Sequence, residues 1–429
     1  PPVGRNLQES MARKLYFPDV QPDDFPYIFI GDGARYIAHE IVRLAIQDGL
    51  SFDISAEARV ITNTNFGKLV CKHADTEGLD RLADYIIESH DNVTKSVSAR
   101  PAVPNEKAIA FDAITIQGFR KKINEELTQR IMDGDLNYAL TLLPTLQEAA
   151  VEGVPYQQYC ELLFEMSDQP WAEIEQAQQF MIDRYLNPAR PIRFRSADGT
   201  DLSMSLVDEH GQNFTFCNSV IAKNVPGSEM FSGMRRDSVN GKIVANGIFS
   251  PKNNNEIIRD LTLWIEDGKI VRFEAAEGAE HFQAFLDRDP NNAYFGELGI
   301  GTNPHLRRQV LNGLLAEKRA TTFHLALGDC YTYEDYLGTS VHVNNGNKTQ
   351  TGDHWDLTVP LDNGGIIEID GEILMENSRF LPPELAVLNE GWFSVPHSKR
   401  PPYWQEWCRE HPNGYEEVAA IQQGWEYEA

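Results

Sequence analysis

From Phe25 the chain reads FPYIFIGDGARYIAHEIVRLAIQDGL: a short apolar run, a glycine turn, and a stretch in which Ile37, Ile41, Leu44 and Ala45 recur at helical spacing. That succession is a βα unit, and it commits this part of the chain to a sheet whose strands are joined by helical crossovers. A second apolar run (ARVITNTNF), the amphipathic EGLDRLADYIIESH and the strand-like KAIAFDAITI continue the alternation, so residues from about 20 to 135 read as an α/β domain. Two familiar motifs fail inside it. GDGARY has Tyr36 where a dinucleotide loop needs its third glycine, and Arg43 stands four residues after His39 where a zinc helix needs a second histidine.

Between Tyr156 and Asn187 the apolar positions recur at helical spacing, and Pro170 divides the stretch into two helices whose aromatics are core candidates. From Pro191 the texture changes to short β-rich runs, PIRFRSADGTDLSMSLVD, GKIVANGIFS, LTLWIEDGKIVRFEA and GGIIEIDGEILME. Asp198–Gly199 and Asp267–Gly268 are expected hairpin turns, because both residue types tolerate positive φ. The expected fold class is therefore α/β plus α+β. Residues 1–190 form an N-terminal α/β domain with a helical connector, 191–380 a β-rich metal-binding catalytic domain, and 381–429 an aromatic C-terminal extension. That extension, with Trp392, Trp404, Trp407 and Trp425, is expected to wrap the surface or a subunit neighbour.

Charge and cysteine usage narrow the partners. Lys+Arg number 38 against 64 Asp+Glu, a net −26, and such a field repels phosphate backbones and anionic membranes alike. The five cysteines are widely spread with no CxxC pair, which fits a reducing compartment. PPVGRNLQES has neither a basic n-region nor an apolar h-region, and no later stretch approaches ~18 uninterrupted apolar residues. The expectation is a cytoplasmic enzyme without nucleic-acid or membrane partners. On that expectation the N-x-T matches at Asn92, Asn213 and Asn347 are chance.

Carboxylates and imidazoles in the β-rich half lie beside small residues. Glu297, in AYFGELGIGTNP, interrupts an apolar and glycine-rich segment. Burying it costs several kcal/mol unless a cation or strong donors compensate. His354-x-Asp356 on a strand projects both side chains to one face, since the side-chain period is two, and aims two donors at one point. Glu229, in NVPGSEMFSG, is on spacing alone a loop glutamate; His324, in TTFHLALGD, is on its own an ordinary core histidine. His342-x-Asn344 lacks the carboxylate of the His354 pair, and Cys330 is at most an adventitious soft ligand.

LLPTLQEAAVEGVPYQQYCELLF, NVPGSEMF, DSVNGKI, GELGIGTNP, HLALGDCY and HWD, in that order, resemble the aminopeptidase T and aminopeptidase S group of dinuclear metalloaminopeptidases, which includes the PepS enzymes. The resemblance covers about residues 25 to 380. It implies two divalent ions (Zn, Co or Mn) held by Glu229, Glu297, His324, Tyr331, His354 and Asp356, with Glu229, Glu297 and Tyr331 in catalytic roles. It further implies a homodimer acting on the first bond of peptides or on a small-molecule substrate. Phe231, Ser232, Gly233 and Met234 depart from the Phe-Thr-x-Pro-like run usual after the first glutamate, which alters the wall beside the ions.

Three other activities compete. Ring-cleaving dihydroxypyridine dioxygenases resemble this family in fold and use one Fe(II), for which His324, His354 and Asp356 offer a facial triad. Glu229, Glu297 and Tyr331 are more donors than such a site needs. A hydrolase of specialised small amides is a further alternative, since VNNGNKTQTGD reads as an insertion over a lid. A metal-stabilised binding scaffold is the non-catalytic reading, which the full ligand set disfavours.

Overall fold

The computed structural model describes residues 5–16, 24–30, 35–56, 73–101, most of 119–135 and, apart from 222 and 252–255, all of 136–424. The runs ARVITNTNF and KAIAFDAITI and the glycine turn at 31–34 lie outside the described residues. The chain divides into two compact units. The first holds residues 1–151, 155–167 and 221–225, and the second holds 152–154, 168–220 and 226–429.

Among the described residues the first unit carries four strands, β1 (Pro26–Ile30), β2 (Asp53–Ala56), β3 (Lys95–Pro101) and β4 (Asn137–Leu143), in the order β2-β1-β3-β4. Every pairing is parallel, which requires a crossover between successive strands. The helix Arg35–Gln47 bridges β1 and β2, and Thr76–Glu88 lies between β2 and β3. The latter buries Leu79, Ala83 and Ile86, one stripe at helical spacing, and Asp75 caps it by accepting from the Gly78 N–H at 2.8 Å. A reciprocal capping pair starts the helix Leu146–Val151: Thr145 Oγ1 accepts from Glu148 N, while Thr145 N donates to Glu148 Oε2.

The second unit is built on two antiparallel sheets. The larger runs β11-β10-β9-β6-β5-β17-β18-β19. Its strands are β5 (Pro191–Arg195), β6 (Asp201–Ser205), β9 (Asn240–Phe249), β10 (Ile258–Glu266), β11 (Lys269–Glu277), β17 (Ile366–Ile369), β18 (Glu372–Glu376) and β19 (Arg379–Phe380). Asp267 (φ 48°) with Gly268 (φ 79°), and Asp370 (φ 50°) with Gly371 (φ 83°), supply the two left-handed residues of type I′ hairpins. The smaller sheet runs β16-β13-β12-β8-β7, made of β7 (Cys217–Ser219), β8 (Glu229–Ser232), β12 (Phe295–Gly301), β13 (Thr322–Gly328) and β16 (His354–Pro360). Phe194 of β5 stacks on Phe323 of β13 with centroids 4.0 Å apart, one point at which the two sheets share a core. A short hairpin, β14 (Asp335–Tyr336) and β15 (Thr339–Ser340), follows β13.

Pro170 separates the helices Tyr156–Ser167 and Trp171–Met181 as expected, and the two fall in different compact units. The aromatic tail corrects its sequence reading. Trp404 is fully buried, and Trp392, Trp407, Tyr415 and Val418 pack around it with the His305 ring. The Trp392 and Trp404 indole N–H groups donate to the Asp168 carbonyl (2.7 Å) and carboxylate (2.9 Å). These indoles are core of the second unit rather than a surface wrap, and Trp425 lies outside the described residues. Among the described residues no helix is long and apolar enough to cross a membrane.

Candidate metal centre

The five-stranded sheet gathers the acidic and imidazole side chains because its register does so. Glu229 of β8 lies opposite Gly301 of β12, and Gly299 lies opposite His324 of β13. Glu297 faces Ala326, which faces Asp356 of β16, and Gly328 faces His354. Cross-strand partners share a face, so this face holds five potential ligands, with Gly299, Gly301, Ala326 and Gly328 between them and Phe231 and Thr358 beside Gly299 and His324. The opposite face carries Leu298, Ile300, Phe323, Leu325, Leu357 and Val359, all fully buried. One face is packed hydrocarbon; the other is cleared at Gly299, Gly301, Ala326 and Gly328, where polar groups can meet.

The clearance is tight. A Cβ on Gly299 would overlap the His324 imidazole. One on Gly301 would meet the Arg319 carbonyl and stand 2.8 Å from that of Glu317. Ser228, just before Glu229, has φ 99°, a rare conformation for a residue with a side chain. It is held there by Thr302, whose N–H donates to the Ser228 carbonyl (2.9 Å) and whose hydroxyl lies 2.7 Å from Ser228 Oγ. That kink delivers Glu229 into the first position of a buried strand, so it is not the loop glutamate its spacing suggested.

Ligating atoms of Glu297, His324 and Asp356 lie within 4.8 Å of one another. His354 Nε2 is 3.3 Å from Glu297 Oε2 and 3.6 Å from Asp356 Oδ1, and His324 Nε2 is 3.4 Å from Glu229 Oε2 and 3.7 Å from Glu297 Oε1. These separations exceed good hydrogen bonds, and Glu297 Oε2, His354 Nε2 and Asp356 Oδ1 are buried atoms without a hydrogen-bond partner. The Asp329 carbonyl lies 2.7 Å from His354 Nδ1, which fixes the ring with Nε2 toward the carboxylates. The Tyr331 ring lies 5.1 Å from that of His354 and 5.5 Å from Phe231, on the flank of the cluster.

The electrostatics are those of a cation trap. Burial opposes charge on both imidazoles, yet the carboxylates outweigh it. Glu297, Asp356 and Glu229 raise His324 to about 9, and Asp356 and Glu297 raise His354 to about 10. Burial also works against the Glu297 carboxylate, and the two imidazoles overcome it and hold the group ionised. Orphaned buried acceptors, three carboxylates and two imidazoles on one cleared face fit a divalent ion, which would take the place of those protons.

Two residues of the site escaped the sequence reading. Lys318, 1% exposed at the end of the helix Gly313–Lys318, donates to Glu229 Oε1 (2.5 Å) and to Glu317 Oε1 (2.6 Å). Burial, outweighing Lys318, together with the Asp356 and Glu229 charges pushes the Glu317 carboxyl well above its usual range. In NGLLAEKRA an adjacent Glu-Lys reads as a solvated helix end, and only the alternation of small residues in ELGIG and HLALG signalled the space beneath it. The alternatives weighed beside the site are occupied elsewhere. His342 Nε2 lies 3.2 Å from Asp208 Oδ2 and its ring stacks on Phe214, and the Cys330 thiol donates to Asn344.

The segment 343–353 is tied down by hydrogen bonds at several points. Asn347 is fully buried: its Nδ2 donates to the Gly328 and Asn291 carbonyls, and its Oδ1 accepts from Arg236. Asp329 Oδ1 accepts from Thr349 N, and Asp353 pairs with Arg288 at 3.0 Å. That burial leaves no room for a glycan at Asn347.

Comparison with known proteins gives the family and the fold. The model of the thermophilic metalloprotease family, M29, matches residues 16–372. Aminopeptidase AmpS of Bacillus subtilis (strain 168) is 28% identical over 152 residues, 32% of this chain and 34% of that protein. Aminopeptidase 2 of Geobacillus stearothermophilus is 31% identical over 155 residues, 34% and 36% of the two. The aligned part thus spans about a third of the length of these curated relatives. Wild-type AmpT from Thermus thermophilus superposes with a TM-score of 0.66 at 17% identity, over 88% of this chain and 100% of that one. A 2,5-dihydroxypyridine dioxygenase from Pseudomonas putida KT2440 gives 0.52 at 14% identity, over 90% and 100%. At such identities the two solved structures speak for the fold.

Proposed function

Since the chain belongs to the thermophilic metalloprotease (M29) family, we propose that it is a metal-dependent aminopeptidase that removes the N-terminal residue of peptides. The observation that carries this reading is the set of buried, partnerless ligand atoms of Glu297, His354 and Asp356 beside His324 and Glu229. Glu297, His324, His354 and Asp356 would hold an ion, Glu229 a second, with Tyr331 at the edge. Bound there, a divalent ion supplies Lewis acidity and a water whose pKa falls toward neutrality.

The chain's own groups do the rest. His354, oriented through Nδ1 by Asp329, presents Nε2 inward. Glu229 or Glu297, whichever keeps an oxygen off the ions, would be the carboxylate that passes a proton to the departing amine. Tyr331, Phe231, Tyr333 and Tyr336 pack as an apolar wall that would exclude water from one side and accept an apolar side chain.

Elemental analysis together with a panel of aminoacyl-anilides tests the proposal. Divalent metal bound to the wild type, lost in Glu297→Ala together with hydrolysis, is the expected result. The dioxygenase alternative draws support from the fact that, among the described residues, a single three-ligand group stands out. One iron per chain, indifferent to Glu297→Ala, with oxygen-dependent cleavage of a dihydroxypyridine, would select it instead.

A further inference from the structure

Resting on the metal-dependent reading, we infer that Lys318 makes the two ends of the ligand set unequal, so that one divalent ion binds tightly and a second weakly. The tight site is formed by Glu297, His324, His354 and Asp356. The weak one is at Glu229, where the ammonium competes for the same carboxylate.

A buried ammonium persists only when compensated by good partners, and Lys318 has two, Glu229 and Glu317. Its approach is built into the sheet. Because Gly301 has no side chain, the segment 317–319 settles onto the face directly opposite Glu229. Backbone bonds lock it there: Asn303 N donates to the Lys318 carbonyl (2.7 Å) and Ala320 N to that of Asn303 (2.8 Å). Glu229 therefore has Oε1 committed to Lys318 and only Oε2 turned toward His324. Glu297 Oε2, His354 Nε2 and Asp356 Oδ1, by contrast, have no hydrogen-bond partner.

Charge leads to the same asymmetry. Glu229, Glu297, Asp356 and Glu317 bring up to four negative charges and Lys318 cancels one of them, so a first dication is fully compensated. A second dication makes the centre net positive unless it arrives with an anion such as hydroxide, so it is the exchangeable one.

The test is a Co(II) titration of the metal-free full-length chain by calorimetry, with bound metal counted after dialysis at fixed free Co(II). The wild type should show two classes separated by at least about tenfold, and Lys318→Met should tighten the weaker class by about tenfold or more while leaving the tighter within about threefold. Lys318→Arg keeps the charge and should keep the gap. Glu317→Gln returns the whole ammonium to Glu229 and should weaken the second ion severalfold, an arm that serves even if Lys318→Met fails to fold. Two equal classes in the wild type, or a second-ion affinity unmoved in both Lys318→Met and Glu317→Gln, overturns the inference. Unequal ions without peptide hydrolysis would refute the aminopeptidase reading and leave this one standing; hydrolysis with equal ions does the reverse. A chain that binds no Co(II) sinks both.

Discussion

Gly299→Ala isolates the claim that empty space, as much as reactive chemistry, makes this centre. Gly299 has no left-handed φ, so alanine is compatible with the backbone and the perturbation is one methyl. That methyl would overlap the His324 imidazole; even the farther ring carbon Cδ2 would be 2.9 Å away, where ordinary contact begins near 3.4 Å. His324 is 1% exposed between Glu229 and Glu297, so the ring has no free volume to enter and must swing off its present axis. Overpacking of this kind costs about 1–3 kcal/mol. Shifting a ligand should reduce metal affinity at least as much as the loss of an orienting partner, about 10–100-fold. Denaturant midpoints on the metal-free chain, with metal content at fixed free ion, measure the two effects. The double variant Gly299→Ala/His324→Ala separates them: once the imidazole is trimmed the methyl fits, and the stability cost should shrink by about 1–3 kcal/mol relative to additivity. Strictly additive costs, or a single variant with wild-type metal content and activity, would show that the vacancy at 299 does not position His324.

Four further expectations follow from the same geometry. Asp356→Ala should abolish hydrolysis and lower bound metal while circular dichroism stays near wild type; a fully active variant removes Asp356 from the centre. Trp404→Ala should cost about 3–5 kcal/mol in the denaturation of the second unit, and a loss under 1 kcal/mol would contradict its place in that core. Burial raises the Glu152 carboxyl to about 7 from 4.5, despite the Leu311 N–H and Arg308. The folded state thus holds a proton that the unfolded state releases between those values, and stability falls as pH rises through 7. The wild type should lose about 3 kcal/mol more than Glu152→Gln between pH 4.5 and pH 8, and parallel pH profiles would refute it. Chelation should remove activity with secondary structure retained, and readdition of the ion should restore it; loss of the far-ultraviolet signal would mean instead that the ion holds the fold.

Much of the fold was legible because periodicity is a local property. The βα unit at Phe25, the helix break at Pro170 and the Asp-Gly hairpins each rest on a few adjacent residues and stand as expected. His354 and Asp356 were legible for the same reason, being two apart on one strand. Lys318 was not, because its burial depends on Gly301 lying across the sheet from Glu229, a relation between segments far apart in sequence. The tail was misjudged on the same ground: nothing in its composition says that Trp404 would find Asp168. Glu229 falls between the two cases, since NVPGSEMF announces a kink but not that the kink feeds a strand.

The hydrogen-bonded rim at 343–353 bears on how fast such a centre works. An enzyme that folds a flap over its substrate uses part of its binding energy to order that flap, and often waits for it to reopen before the next turnover. Here Asn347 and its partners have already ordered the segment beside the ligands, so that ordering cost was met when the chain folded. Entry and exit along this side should then follow the diffusion and affinity of the substrate, and turnover should vary little with solvent viscosity until product release itself becomes diffusion-limited.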